Sequence, residues 1–207
     1  MRKILLLCLN LMLVSLLCVT PAYAEKTAGD ISPDVNGFVI EDGVLHAYMG
    51  DAEEICIPDG VAVIGDSAFY GNMTLRKVAL PNSLKIIGDD AFHYCVCLNE
   101  ILLPEGLEEI GERAFSECTE LSEVSMPHTL QRIGREAFYW CVLEGELVLP
   151  EGITEIGDRT FARSRLTSVK IPDGVTRIGA EAFRACEKLE TVSIPVTVNE
   201  IGAEAFA

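Results

Sequence analysis

Three short signals recur along this chain and stay locked to one another. Proline stands at positions 58, 81, 104, 127, 150, 172 and 195. An Ile-Gly pair follows each time, at 64–65, 87–88, 110–111, 133–134, 156–157, 178–179 and 201–202. Ala-Phe comes next at 68–69, 91–92, 114–115, 137–138, 182–183 and 205–206, with Thr160-Phe161 standing in once. The period is 23 residues with a single step of 22. A unit of that length cannot bury its own apolar face, so such copies are stable only when stacked into a solenoid with a continuous core.

Residues 103–126 show what one copy contains. Its apolar positions are Leu103, Leu107, Ile110, Ala114, Phe115, Cys118, Leu121, Val124 and Met126. No single period of 3.6 or 2.0 covers them, which points to three short sides rather than one long element. Residues 123–126 alternate apolar and polar, as a strand with one buried face does. Pro104 ends the preceding copy of that strand because it has no N–H for a ladder. Residues 107–110 make a second extended side, and Gly111 turns the corner through positive φ or through close packing. Residues 112–116 predict a turn of helix that drops Ala114 and Phe115 inward.

These residues resemble the BspA-like class of bacterial leucine-rich repeats, with its LPxxLxxIGxxAFxxCxxL pattern, from about residue 38 to 207. The resemblance implies a leucine-rich repeat solenoid wound as a right-handed coil with short parallel strands and short helical turns. It also implies a secreted or cell-surface protein that binds other proteins; some members adhere to host matrix proteins such as fibronectin or fibrinogen. The repeat brings no invariant ligand-binding residues with it.

Residues 1–24 stand apart. Arg2 and Lys3 precede an apolar run to Val19, then Pro21 and the small-residue site Ala22-Tyr23-Ala24. This predicts a cleaved secretory signal with a mature start at Glu25. Residues 25–37 read as a flexible leader. Residues 38–54 read as a capping β-hairpin turning at Asp42-Gly43. Residues 55–207 are the solenoid, the last coil incomplete and without a polar cap. That open edge supports an alternative expectation, a structural spacer or a module that self-associates with another copy.

The 207 residues carry 16 basic and 32 acidic side chains. Without Arg2 and Lys3 the balance is 14 against 32, a charge of −18. Such a charge opposes nucleic-acid phosphates and anionic membranes, so neither is expected as a partner, nor membrane insertion of the mature chain. Cys95, Cys118, Cys141 and Cys186 each stand three residues after the repeat Phe and should form one buried column. With Cys56 and Cys97 they are expected as free thiols, although rungs ~4.8 Å apart would admit a Cys95–Cys118 or Cys118–Cys141 disulfide. No metal or cofactor is expected. His46, His93 and His128 fall at different repeat positions, and no nucleophile motif accompanies them, so no enzyme is expected either.

Two surfaces remain as candidates for binding. The outward positions of the principal strand include Lys77, Glu100, Leu102, Glu123, Ser125, Glu146, Val148 and Lys170. Glu100, Glu123 and Glu146 should line up, with Leu102 and Val148 apolar where solvent is expected. A second ridge follows the repeat Phe through Tyr70, Tyr94, Tyr139 and Trp140, with His93 beside it. In the fourth copy Leu143 is expected to turn inward in place of Glu144. The fifth copy lacks one residue before Leu166, so these two rungs are expected to be the least regular.

Overall fold

The computed structural model describes residues 32–207, so the signal and most of the leader lie outside the described residues. Seven coils stack with parallel pairing between neighbours, and no helix forms among the described residues. The first side of the coils carries β3 (Glu54–Cys56), β5 (Lys77–Ala79), β7 (Glu100–Leu102), β10 (Glu144–Val148), β12 (Arg165–Lys170) and β14 (Thr191–Ser193). The second side carries two-residue strands: β4 (Val63–Ile64), β6 (Ile86–Ile87), β8 (Glu109–Ile110), β9 (Arg132–Ile133), β11 (Glu155–Ile156), β13 (Arg177–Ile178) and β15 (Glu200–Ile201). Pairing runs at the repeat offset, with Ile64 opposite Ile87, Ile87 opposite Ile110 and Ile110 opposite Ile133.

Ahead of the first coil, β1 (Phe38–Glu41) and β2 (Val44–Tyr48) pair antiparallel. Asp42 and Gly43 both take positive φ, 47° and 75°, as a type I′ turn requires. β2 then pairs parallel with β4, so the hairpin covers the edge that the first coil would otherwise leave open. Just before it, the Asp34 carboxylate accepts from the N–H groups of Asn36 and Phe38 and closes a short turn.

The third side corrects the expected helical turn. Along it, every second N–H reaches to the next coil: Ser67, Phe69 and Gly71 donate to the carbonyls of Asp89, Ala91 and His93 at 2.8–2.9 Å. The alternate residues Ala68, Tyr70 and Asn72 donate three back, to Gly65, Ser67 and Phe69. An α-helix would turn all these donors inward on itself, whereas here half of them are spent between coils. The alternation forces two left-handed positions per coil. One column is Ser67, Asp90, Arg113, Glu136, Arg159, Glu181 and Glu204, and the other Tyr94, Glu117, Trp140, Arg163 and Ala185, with Gly71 at its head. For residues with a Cβ this conformation costs about 1–2 kcal/mol each, which the inter-coil bonds must offset.

The Ile-Gly corner needs glycine for closeness and not for φ. A Cβ on Gly111 would lie 2.6 Å from the Gly88 carbonyl carbon and 2.7 Å from the Asp89 nitrogen.

Inside, the repeat phenylalanines form one stack. Phe69, Phe92, Phe115, Phe138, Phe161, Phe183 and Phe206 follow one another at centroid distances of 4.7–5.7 Å with rings within 13° of parallel. Tyr48 and Phe38 of the hairpin extend the stack at 5.3 and 5.1 Å. Beside it, the thiols of Cys95, Cys118 and Cys141 are buried and donate to the carbonyls of Phe69, Phe92 and Phe115 at 3.0–3.1 Å. Those thiols are free, with Cys97 and Cys186 also free but only half-buried. Cys56 is disulfide-bonded, against the expectation that all six would be free.

The irregular rungs are not quite where the sequence put them. Leu143 is buried and Glu144 exposed, so the rotation at the fourth copy occurs. Yet β10 and β12 are the longest strands of the solenoid, and the missing residue is absorbed by a register shift after Gly145. It is the third copy that loses its strand: no strand forms over 121–127, which splits the first side into β3-β5-β7 and β10-β12-β14. The second side breaks one junction later, between β9 and β11. Only the third side runs unbroken through this region, with Arg113 bonded to Arg135 and Glu136 to Asp158.

Candidate functional site

The first side presents its residues as alternation dictates. Ile55, Val78, Ile101, Leu147 and Val169 point into the core. Their neighbours form two outward columns, Glu54–Lys77–Glu100 with Cys56–Ala79–Leu102, then Glu146–Ser168–Thr191 with Val148–Lys170–Ser193. Leu102 and Val148 are 50% and 52% exposed. Two coils separate them, about 10 Å at ~4.8 Å per rung, with Ser125 exposed on the rung between.

The expected line of three carboxylates is modified in two ways. Glu123 is exposed but sits on the segment that forms no strand, so it is not in a ladder with Glu100 and Glu146. Two of the three are also met by the chain's own cations: Lys77 contacts Glu100 at 2.5 Å, and Lys170 lies 3.8 Å from Glu146. Beside Glu146, Glu144 is flanked by Arg165 at 3.6 Å and Lys188 at 4.0 Å. Exposed pairs of this kind contribute little, about 0–1 kcal/mol, and leave oxygens open to a partner. Glu54 and Glu123 make no ion pair among the described residues.

The aromatic ridge is two clusters rather than one. Tyr70 meets His93 and Tyr94 edge-on at 5.3 and 6.2 Å, and His93 stacks on Tyr94 at 4.5 Å. Behind them Asp90 accepts from His93 at 2.8 Å and from Arg113 through two bonds of 2.8 Å. The Arg113 guanidinium, with a smaller contribution from His93, holds the Asp90 carboxyl below the usual carboxylate range. Two coils further on, Tyr139 meets Trp140 at 6.3 Å, and the Arg163 guanidinium lies 4.7 Å over the Trp140 ring.

Sequence reasoning passed over the residue between the clusters. Glu117 stands one period after Tyr94 and one period before Trp140, so extending the 23-residue step from either would have found it. Its carboxylate, beside the Tyr94 hydroxyl, raises that phenol above its usual range. The left-handed column of alternating charge was missed as well. There Arg159 holds Glu181 through two 3.0 Å bonds and reaches Glu136 at 3.5 Å. The signal for it was again the fixed spacing, read at a position without apolar residues.

Other features are quickly placed. The thiols are pushed upward by burial, Cys95 to about 12, which keeps them protonated as donors. No group of three or more His, Cys, Asp or Glu among the described residues is arranged to hold a metal ion. No helix among them is long and apolar enough to cross a membrane. A groove of about 580 Å³ opens along the last coil between Phe183, Leu189, Val192 and Phe206.

Comparison with known proteins agrees with this architecture. A family model for the BspA type leucine rich repeat region, in six copies, matches residues 45–164 and 124–207. A leucine-rich repeat protein of T. pallidum, 32% identical, has a similar crystal structure (TM-score 0.77), covering 83% of this chain and 86% of that one. A leucine rich cell surface protein of Faecalibacterium prausnitzii A2-165 is 28% identical (TM-score 0.72) over 90% of this chain. A leucine-rich repeat protein of Bacteroides ovatus is 25% identical (TM-score 0.67) over 86%. The chain spans about half the length of these last two, 52% and 49%. Among proteins of curated function none matches the sequence. Repeat scaffolds of this family serve as protein–protein interaction modules. With its repeat signals matched from residue 45 to 207, the chain belongs to the BspA-type leucine-rich repeat family.

Proposed function

We propose that this protein acts outside the cell, secreted or at the cell surface, and binds a protein partner across the first side of the coils. The observation that carries the reading is the pair Leu102 and Val148, half exposed on a face otherwise built by strict alternation. Carboxylates border them: Glu100, Glu123, Glu144 and Glu146. An apolar centre with an acidic rim suits a partner surface that is apolar at its middle and basic around it. A host matrix protein is a natural candidate, and a leucine rich protein similar to this one is described as a cell surface protein. Catalysis has no part in this reading, because these carboxylates lie along one side of the coils and among the described residues no second set of acidic groups is arranged to face them.

Surface plasmon resonance against purified fibronectin and fibrinogen tests it. Leu102→Arg should abolish binding and Glu146→Gln should weaken it, both in a folded protein by circular dichroism. Binding that survives both variants would sink the reading. Light scattering distinguishes a second reading, docking of another copy on the groove of the last coil between Phe183 and Phe206. That reading requires a concentration-dependent dimer lost in Phe206→Asp.

A further inference from the structure

The second left-handed column places Tyr94, Glu117, Trp140 and Arg163 one above another at the repeat spacing. Glycine is the residue of least cost at such a position, and Gly71 occupies it in the first coil. Large aromatics there are unusual, since a bulky residue with positive φ is an outlier that neither burial nor backbone preference explains. Tyr94 and Trp140 remain 38% and 42% exposed, and Tyr70 beside Tyr94 is 55% exposed.

The upper half of the column shows what such a ring takes. Arg163, one coil after Trp140, lies 4.7 Å over its ring and supplies a cation to it. In the lower half the same position after Tyr94 holds Glu117, an anion. The guanidinium of Arg113, behind His93, is committed to Asp90 through two bonds of 2.8 Å. Among the described residues no Arg or Lys lies over Tyr70 or Tyr94. His93 covers one face of Tyr94, which leaves its other face, the exposed Tyr70 ring and the Glu117 carboxylate beside the Tyr94 hydroxyl. Aromatic faces attract a guanidinium or ammonium within about 6 Å, and a flanking carboxylate adds to that attraction.

We infer that the corner formed by Tyr70, Tyr94 and Glu117 seats an arginine side chain of a basic protein partner, as Trp140 already seats Arg163. The inference shares with the proposed function only the basic character of the partner; it uses a different side of the coil. Arginine fits better than lysine because its planar guanidinium stacks on a ring while its edge reaches a carboxylate.

The test uses the full chain and a blocked tetra-arginine peptide, followed by the ring signals of Tyr70 and Tyr94 in nuclear magnetic resonance. Saturable shifts are expected, with affinity falling about 2- to 5-fold in Tyr70→Leu and in Glu117→Gln, as loss of an exposed cation–π contact implies. Val196→Ser, an exposed side chain on the last coil, should leave the affinity unchanged. Arg163→Ala provides a gain of binding. Uncovering Trp140, the only tryptophan, should let the peptide shift its emission, which it does not do in the wild type. Equal affinity in wild type, Tyr70→Leu and Glu117→Gln would mean diffuse attraction to an acidic protein and would overturn the assignment. So would ring shifts produced by maltohexaose and not by the peptide, which would make the corner a glycan platform. Binding lost in Leu102→Ser alone would also overturn it while leaving the first-side reading intact.

Discussion

Replacing Phe115 by alanine interrogates the stack at its middle. The ring is fully buried, with Phe92 at 5.2 Å and 3° on one side and Phe138 at 5.3 Å and 11° on the other. Truncating a core Phe costs about 3–5 kcal/mol through lost transfer energy and the cavity left behind. Two aromatic partners lose their contact at once, each worth roughly 0.5–1.5 kcal/mol, and coils held in register by neighbours collapse poorly around the gap. The upper end is therefore expected, about 5 kcal/mol, or more than about a thousandfold in the folding equilibrium. In urea, at the upper part of roughly 1–3 kcal/mol per molar that a chain of this size implies, that moves the midpoint down by about 2 M. The change also weakens one of the two couplings that run through all the coils, the other being the third-side hydrogen bonds, so the transition should broaden or split. Tyr70→Ala, an exposed ring on the same coil edge, serves as the comparison and should cost less than about 1 kcal/mol. A loss below about 1.5 kcal/mol for Phe115→Ala, with one sharp transition, would refute the reasoning.

Three further outcomes follow from the geometry. Hydrogen exchange should be faster by tenfold or more at the amides of Val124 and Met126 than at Val78 and Leu147, because the third copy forms no strand there; equal protection would show an unbroken first side. In the folded protein Ellman's reagent at pH 8 should reach Cys97 but not Cys95, Cys118 or Cys141, whose burial and protonation leave no accessible thiolate. Arg159 and then Arg184 depress the Glu181 pKa to about 2 in the folded state. Its contribution is therefore present above the unfolded value of about 4.3 and is lost as pH falls through the folded one. Between pH 6 and pH 2.5 the urea midpoint should drop further in the wild type than in Glu181→Gln.

The coil architecture was readable because inward residues repeat at a fixed step, and a buried position tolerates few substitutes. Phe92, Phe115 and Phe138 could be placed in the core from spacing alone. Asp42-Gly43 announced its turn because few other pairs take two positive φ values. The third side was misread for a physical reason. Residues 112–116 have the composition of a helical turn, and only the neighbouring coil, by accepting alternate N–H groups, selects the staircase of turns. The lost strand at 121–127 was hidden likewise: its residues alternate well, and pairing depends on the coils above and below, where the inward turn of Leu143 and the shift after Gly145 change the register. At the surface, spacing located Leu102 and Val148 but not the ion pairs of Glu100 and Glu146. Those depend on which way long side chains lean between coils. Glu117 was overlooked because it is neither apolar nor aromatic, although its position in the period was fixed.

Whether a coil has any structure without its neighbours is the question on which the whole account turns. A peptide of residues 103–126 compared with the full chain, by circular dichroism and by nuclear Overhauser contacts, answers it most directly. The account predicts a disordered peptide with no contact between Phe115 and Leu107 or Leu121, three side chains that are all fully buried in the full chain. A peptide that folds cooperatively by itself would contradict it.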